Sequence, residues 1–312
     1  MGAIAAREST CHIQRVVTVA QPLENAPPTT TGTKARARLR RLVLSLLVLS
    51  AVLLGAWAFW LEPRRLVLHE ETLDVPHWPA ELSGFRLALL SDLHVGSPYW
   101  GIPELEQLVE RVNRERPELV LLAGDYVTNG VKFGDWVDPE AIAATLAKLD
   151  APLGVVAVLG NHDWWSGGHR VRSAFERAGI IVLENESHAV QRGDQRFYIG
   201  GLADQLTRRV RLDKALEGVG ENDPFLVLAH EPDVFVRIPE RAALTLAGHT
   251  HGGQVALPVL GRPVIPSKYG QRFAAGHIEE DGRHLFVTTG VGTSVFPVRF
   301  GVAPEIAILE LE

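Results

Sequence analysis

The chain has 312 residues, 46% of them hydrophobic and 22% charged, with a formal net charge of −6. That supplies a sizeable core plus an appendage, and no broad basic surface of the kind that binds duplex nucleic acid. Cys11 is the single cysteine, which excludes an internal disulfide and any cysteine-rich zinc site; nothing signals an obligate protein partner.

The first 41 residues read as a disordered leader, with a polar, Pro- and Thr-rich stretch at 25–33 that lacks periodicity. The leader ends in a basic cluster, Lys34, Arg36, Arg38, Arg40 and Arg41. Residues 42–61 come next, without one charged side chain. At roughly 1.5 Å per helical residue this run is long enough to cross a bilayer. The excess of Lys and Arg before it puts the N-terminal side in the cytoplasm and residue 62 onward outside. Arg40-Arg41-Leu42-Val43-Leu44 also has the form of a twin-arginine export signal, and Ala56-Trp57-Ala58 that of a cleavage site. The bulky Trp57, Phe59 and Trp60 suit an interfacial belt, so an uncleaved single-pass anchor in the cell membrane is the preferred reading; either version exports the globular domain. Residues 62–84 read as a linker.

From Phe85 to Glu312 short aliphatic and β-branched runs alternate with helix-like stretches such as 104–116 and 139–149, the grammar of an α/β domain. Five of the apolar runs end abruptly in Asp, His or Asn: Leu87 to Asp92 and His94, Leu119 to Asp125, Val155 to Asn161-His162-Asp163, Phe225 to His230, and Leu244 to His249 and His251. Strand ends are where an open α/β sheet assembles a site. Asp92-x-His94 and His249-x-His251 place both members of each pair on one face of an extended segment. Oxygen and imidazole donors without thiolates suit Mn, Zn or Fe. Gly124, Gly160 and Gly248 each precede a polar residue, where a missing side chain permits close approach.

The order Asp-x-His, Gly-Asp, Gly-Asn-His-Asp, His and Gly-His-x-His resembles the calcineurin-like metallophosphoesterase superfamily, and the likeness covers nearly all of 85–312. His230-Glu-Pro-Asp233, Gly248-His-Thr-His-Gly-Gly-Gln254 with Leu257-Pro258, and the tail Gly290-Val-Gly-Thr-Ser294 with Pro297, Arg299 and Pro304-Glu305 narrow it to the bacterial membrane-associated YkuE/YaeI-type phosphodiesterases. The resemblance implies a four-layer α/β/β/α sandwich of two facing mixed sheets, here preceded by one N-terminal transmembrane helix. It implies two divalent metal ions: one on Asp92, His94 and His251, the other on Asn161, His230 and His249, with Asp125 bridging. His162 would then serve the leaving oxygen, and Asp163 would orient it. Thr128 stands where many relatives carry a second Asp.

The expected activity is hydrolysis of a phosphoester, a phosphodiester or a lipid-linked phosphate at the membrane, by a metal-bridging hydroxide. Nucleotides or a UDP-sugar-lipid pyrophosphate are alternative substrates; an inactive metal-stabilised binding scaffold is the alternative class. Trp164, Trp165, Tyr99 and Trp100 are candidates for an aromatic rim around an acyl chain. Lys268, Tyr269, Arg272 and Arg299 either contact phosphate or lie on the surface.

Overall fold

The computed structural model describes residue 18 and residues 31–312; the rest of the leader up to residue 30, with Cys11, lies outside the described residues. Two units divide the chain, Met1–Ser50 and Ala51–Glu312. In the first, helix α1 (Thr31–Ala56, which continues into the second unit) includes the basic cluster. Residues 34–41 therefore belong to a helix and not to a disordered leader, because Ala, Arg, Lys and Leu are all strong helix formers. Residues 34–64 make a helix long and apolar enough to cross a membrane, with its apolar window exposed.

In the second unit α1 gives way to a π-helical turn at Trp57–Leu61 and a 3₁₀ turn at Glu62–Arg64. The expected linker 62–84 is instead part of the fold. Strand β1 (Val67–Leu73) pairs in parallel with β12 (Glu305–Leu311), from Val67 opposite Glu305 to Leu73 opposite Leu311, and Val75, Trp78 and Leu82 are buried. The segment does not look like a strand because His69, Glu70 and Glu71 interrupt its apolar pattern at an edge, where one side meets water.

The remaining strands are β2 (Phe85–Leu90), β3 (Leu119–Leu122), β4 (Val155–Ala157), β5 (Ile181–Val182), β6 (Glu186–Arg192), β7 (Gln195–Gly201), β8 (Phe225–Leu228), β9 (Leu244–Ala247), β10 (Gly276–Glu280) and β11 (Arg283–Val287). They form two six-stranded mixed sheets, ordered β1-β12-β2-β3-β4-β5 and β10-β11-β9-β8-β7-β6. Leu87, Leu89 and Leu121 of the first sheet meet Ile199, Leu226 and Leu246 of the second in a shared core. The alternate residues Ala88, Leu90, Val120 and Leu122 face the other way, onto helices α2 (Ile102–Arg114), α3 (Pro139–Leu146) and α5 (Gly168–Arg177). Burial on both faces explains why these strands are apolar at every position. Short helix α4 (Asn161–Trp165) comes after β4. On the outer face of the second sheet, Phe225 and Val227 are covered by Ala215 of the one-turn α6 (Leu212–Ala215) and by Val234 and Ile238. The four layers are as expected, with short turns in place of long helices on the second side.

Phe197 is fully buried and packs edge-on against Phe85 at 5.0 Å and Trp78 at 5.3 Å between ring centroids. Phe197→Ala is expected to cost about 3–5 kcal/mol, read as a lowered urea midpoint of the full chain in detergent.

Candidate active site

β2, β3, β4, β8 and β9 each run in parallel with a neighbour within their sheet, so their C-terminal ends gather at one edge. There the chain must turn at once to aim side chains inward. Asp92, His94, Asp125, His249 and His251 all have left-handed backbone, with φ of 53°, 42°, 57°, 67° and 49°. L-residues adopt this region at a cost of roughly 1–2 kcal/mol each, and such outliers persist where the surroundings over-determine them. The glycines permit the crowding. A Cβ on Gly248 would lie 2.0 Å from Ser91 Oγ and 2.5 Å from Asp92 Oδ2. One on Gly124, itself at φ +98°, would lie 2.8 Å from His230 Nδ1.

Two triads that share no residue result, Asp92 with His94 and His251, and Asp125 with His230 and His249, and a third group, His94 with Asp125 and His162, links them; within each, one potential ligand atom per residue lies within 4.8 Å of the others. His94 Nε2 and His251 Nε2 are 3.2 Å apart, and His249 Nδ1 and His230 Nε2 are 3.1 Å apart. Two nitrogens held about 2.1 Å from a common ion, at roughly a right angle, have this spacing. Asp125 Oδ2 lies between the triads, 3.2 Å from His230 Nε2 and 3.7 Å from His94 Nε2. His230 Nδ1 faces the Ala123 carbonyl at 2.7 Å and His94 Nδ1 the Val127 carbonyl at 3.4 Å. As donors there, both rings turn Nε2 into the site, where a metal ion would take the lone pair of His94 directly and that of His230 after displacing a proton.

Burial pushes His94 down to about 3 and His249 to about 4, and holds His251 well below the usual histidine value, so all three are neutral at pH 7. His230 moves the other way: burial opposes its charge, but the Asp125 carboxylate overrides and raises it. Asp92 Oδ1 and Asn161 Oδ1 are buried without hydrogen-bond partners, though Asp92 Oδ1 lies 3.2 Å from His251 Nε2. Uncompensated buried acceptors are costly, and with the facing ring nitrogens they make a donor set that fits divalent cations.

His162 stands beside both groups. Its backbone N–H donates to Asp125 Oδ1 at 2.8 Å and its ring meets His94 edge-on. Asp163 does something other than orient it. Its Oδ2 accepts the Asp125 and Gly160 N–H groups at 2.8 and 2.9 Å, and its Oδ1 those of Tyr126 and Val127 at 2.9 and 3.2 Å. The side chain is a tether for the turn that carries Asp125. Thr128 Oγ1 contacts the His94 and Val95 carbonyls at 2.6 and 3.0 Å, so it secures the opposite strand end without a charge.

The sequence reading missed what Glu231 and Asp233 do. Glu231 accepts the N–H groups of Gln205 and Leu206 at 2.9 and 3.1 Å, while Asp233 accepts Ser267 Oγ at 2.5 Å and the Lys268 N–H at 2.9 Å. The two carboxylates thus pin opposite walls of a cleft of about 1020 Å³ over the triads. Trp165, Leu206, Val264, Ile265, Val295 and Phe296 give that cleft apolar walls, and Lys268 also lines it. Of the four aromatic rim candidates, only Trp165 lines it; Trp100 is buried, Tyr99 donates to the Phe59 carbonyl at 2.8 Å, and Trp164 packs against His169. Arg299 is neither a phosphate contact nor a surface residue: fully buried, it donates to the carbonyls of Thr289, Gly290, Gly292 and Val302.

A family profile described as Calcineurin-like phosphoesterase matches residues 85–259. The chain is 29% identical over 259 residues to Uncharacterized metallophosphoesterase YkuE of Bacillus subtilis (strain 168), covering 82% of this chain and 89% of that one. It is 33% identical over 231 residues to Phosphodiesterase YaeI of Escherichia coli (strain K12), covering 73% and 82%. A Danio rerio protein named Transmembrane protein with metallophosphoesterase domain is 28% identical over 296 residues, covering 89% of this chain and 64% of that one.

Asp163→Asn turns an amide NH₂ toward N–H groups that now meet an oxygen, and each stranded donor costs about 1–3 kcal/mol. We expect a lowered melting temperature and reduced metal content by elemental analysis. Gly248→Ala is expected to displace Asp92 and lower the bound metal, read by the same elemental analysis.

Proposed function

Because this chain belongs to the calcineurin-like phosphoesterase family, we propose that it hydrolyses a phosphodiester or lipid-linked phosphate at a membrane surface, using two divalent ions. The observation that carries this reading is the pair of buried triads meeting at Asp125 beneath a cleft with apolar walls. Asp92, His94 and His251 would hold one ion, Asn161, His230 and His249 the other, and Asp125 both. Nitrogen and oxygen donors without thiolate favour Mn, Zn or Fe. When bound, such a pair supplies Lewis-acid charge and an activated water.

The protein's own residues do the rest. His94 and His230, held by backbone carbonyls, keep Nε2 directed at the site. His162, on the first turn of α4, would donate a proton to the leaving oxygen. Lys268 adds positive charge on the far wall, where an anionic ester would rest, and the apolar walls exclude water from it. The exposed apolar helix at 34–64 would anchor the chain in the cell membrane, with the catalytic domain on the extracytoplasmic side given the basic cluster before it.

The test is hydrolysis of bis(p-nitrophenyl) phosphate by the full chain in detergent, metal-free and then with Mn, Zn, Fe or Mg. Turnover is expected to require metal and to vanish in Asp125→Asn. His162→Ala should lower kcat by about 10²–10⁴-fold at unchanged metal content. Stoichiometric metal binding without cleavage of this ester or of a lipid phosphodiester would sink the reading in favour of a scaffold.

A further inference from the structure

Apolar side chains are exposed on loops that line the cleft, through Val264, Val295 and Phe296, and on the segments next to them. Phe133 is 87% exposed, Val259 and Leu260 are fully or largely exposed, and Val264, Val295 and Phe296 are each more than half exposed. They come from three loops knitted together by backbone hydrogen bonds. Lys132 N–H donates to the Val295 carbonyl at 2.9 Å, and Ala256 N–H, at the base of the loop carrying Val259 and Leu260, donates to the Phe300 carbonyl at 2.7 Å. A clustered apolar rim of this kind is uncommon on a soluble surface. Three members, Phe133, Val259 and Val295, also sit in left-handed backbone, at φ 63°, 70° and 61°. Two of these are β-branched, for which this region is a true outlier. Such a conformation is costly, and among the residues described these exposed side chains gain no burial from it.

The same rim adjoins the end of the apolar helix. Arg299 N–H donates to the Ala58 carbonyl at 2.9 Å, Tyr99 Oη to that of Phe59 at 2.8 Å, and Trp100 Nε1 to that of Pro63 at 3.2 Å. The Arg64 guanidinium stacks on Tyr99 at 4.2 Å. Around this joint Trp57, Phe59, Trp60 and Leu61 are exposed, a composition suited to the interfacial level of a bilayer. Arg299 is three residues from Phe296, so the helix exit and the cleft wall share one short segment.

We propose that Phe133, Val259, Leu260, Val264, Val295 and Phe296 form a collar that inserts into the interface of the bilayer crossed by the chain's own helix, so that the cleft opens onto the lipid surface. The proposal rests on the membrane anchoring proposed above and adds the direction from which substrate arrives. An amphiphilic phosphoester would pass its acyl chains along the collar while its phosphate reaches the triads and Lys268. Lys132, beside the collar, and Arg64, against Trp60 and Tyr99 at the helix end, suit anionic headgroups.

The experiment uses the full chain in a Cys11→Ser background, with a single cysteine at Phe133, Leu260, Leu49 or Asp194, each labelled with nitrobenzoxadiazole. Asp194 is in the turn between β6 and β7, at the strand ends remote from the site. Each protein is reconstituted into phosphatidylcholine and phosphatidylglycerol vesicles with or without brominated acyl chains. An interfacial apolar surface buries about 5–10 Å into the headgroup and acyl boundary, so emission at Phe133→Cys and Leu260→Cys should be roughly halved by bromine. Leu49→Cys should be quenched at least as strongly, and Asp194→Cys not at all. Quenching at Leu49→Cys alone would overturn the collar and leave the anchor standing, as would a second copy of the chain covering the collar. No quenching at any position would overturn both. A kinetic arm separates the collar from the chemistry: Phe133→Ser combined with Leu260→Ser should raise KM for a vesicle-borne phosphodiester about tenfold and leave KM for bis(p-nitrophenyl) phosphate unchanged. An equal effect on both substrates would count against the collar.

Discussion

The constraint on which everything else rests is the abrupt turn at the strand ends. A parallel strand delivers its last residue at a fixed point and direction, and the next side chain must double back within one residue to reach its neighbours. Left-handed backbone at Asp92, His94, Asp125, His249 and His251 accomplishes this. Strain at five residues within one edge would unravel a loosely built loop. Here both faces of the parent strands are buried, in the sheet-to-sheet core on one side and on the other under α2, α3 and α5 for β2 and β3 and against Phe235 and Phe273 for β9, so the strands cannot shift to relieve it. Core packing thereby acts on the site directly, by denying the turns an alternative.

Buried carboxylates divide into two kinds in this edge. Asp92 and Asp125 face the histidines, whereas Asp163, Glu231 and Asp233 spend their oxygens mainly on loop N–H groups and on Ser267. The second kind converts loops into fixtures. Asp163 joins the Asp125–Val127 turn and Gly160 into one hydrogen-bonded unit, so that His162 and Asp125 move together. Glu231 and Asp233 flank Pro232 and reach in different directions, coupling His230 to both walls of the cleft. A short motif, His-Glu-Pro-Asp, thus carries one site residue and two struts.

The seven candidate ligands stood out because they end five apolar runs in one domain, a combination that carries weight where a single histidine or carboxylate after a strand does not. Two facing sheets came from the resemblance, not from the strand pattern alone. Other features were hidden for identifiable reasons. β1 carries His69, Glu70 and Glu71 on an edge, which makes it look like a linker. Asp163 lies beside His162 in sequence, which suggests a partnership that the short helix α4 rotates away. Arg299 looks like a surface cation because its acceptors are main-chain carbonyls, which carry no side-chain signature.

The pairing of β12 has a consequence for how such a chain is made. β12 lies between β1 and β2, strands separated in sequence by only the turn 74–84, while its own register joins Leu311 to Leu73 and to Phe85. During vectorial synthesis the strand that follows the apolar helix and the strand that positions Asp92 emerge first and must stay unpaired with each other until the segment at 305–311 arrives to separate them. Non-local closure of this kind is slow and leaves apolar edges open in the interim. The part of the domain built on β1 and β2 therefore cannot mature as a folding unit ahead of the rest, and the sheet whose edge carries the site is completed only by a strand that emerges more than two hundred residues later.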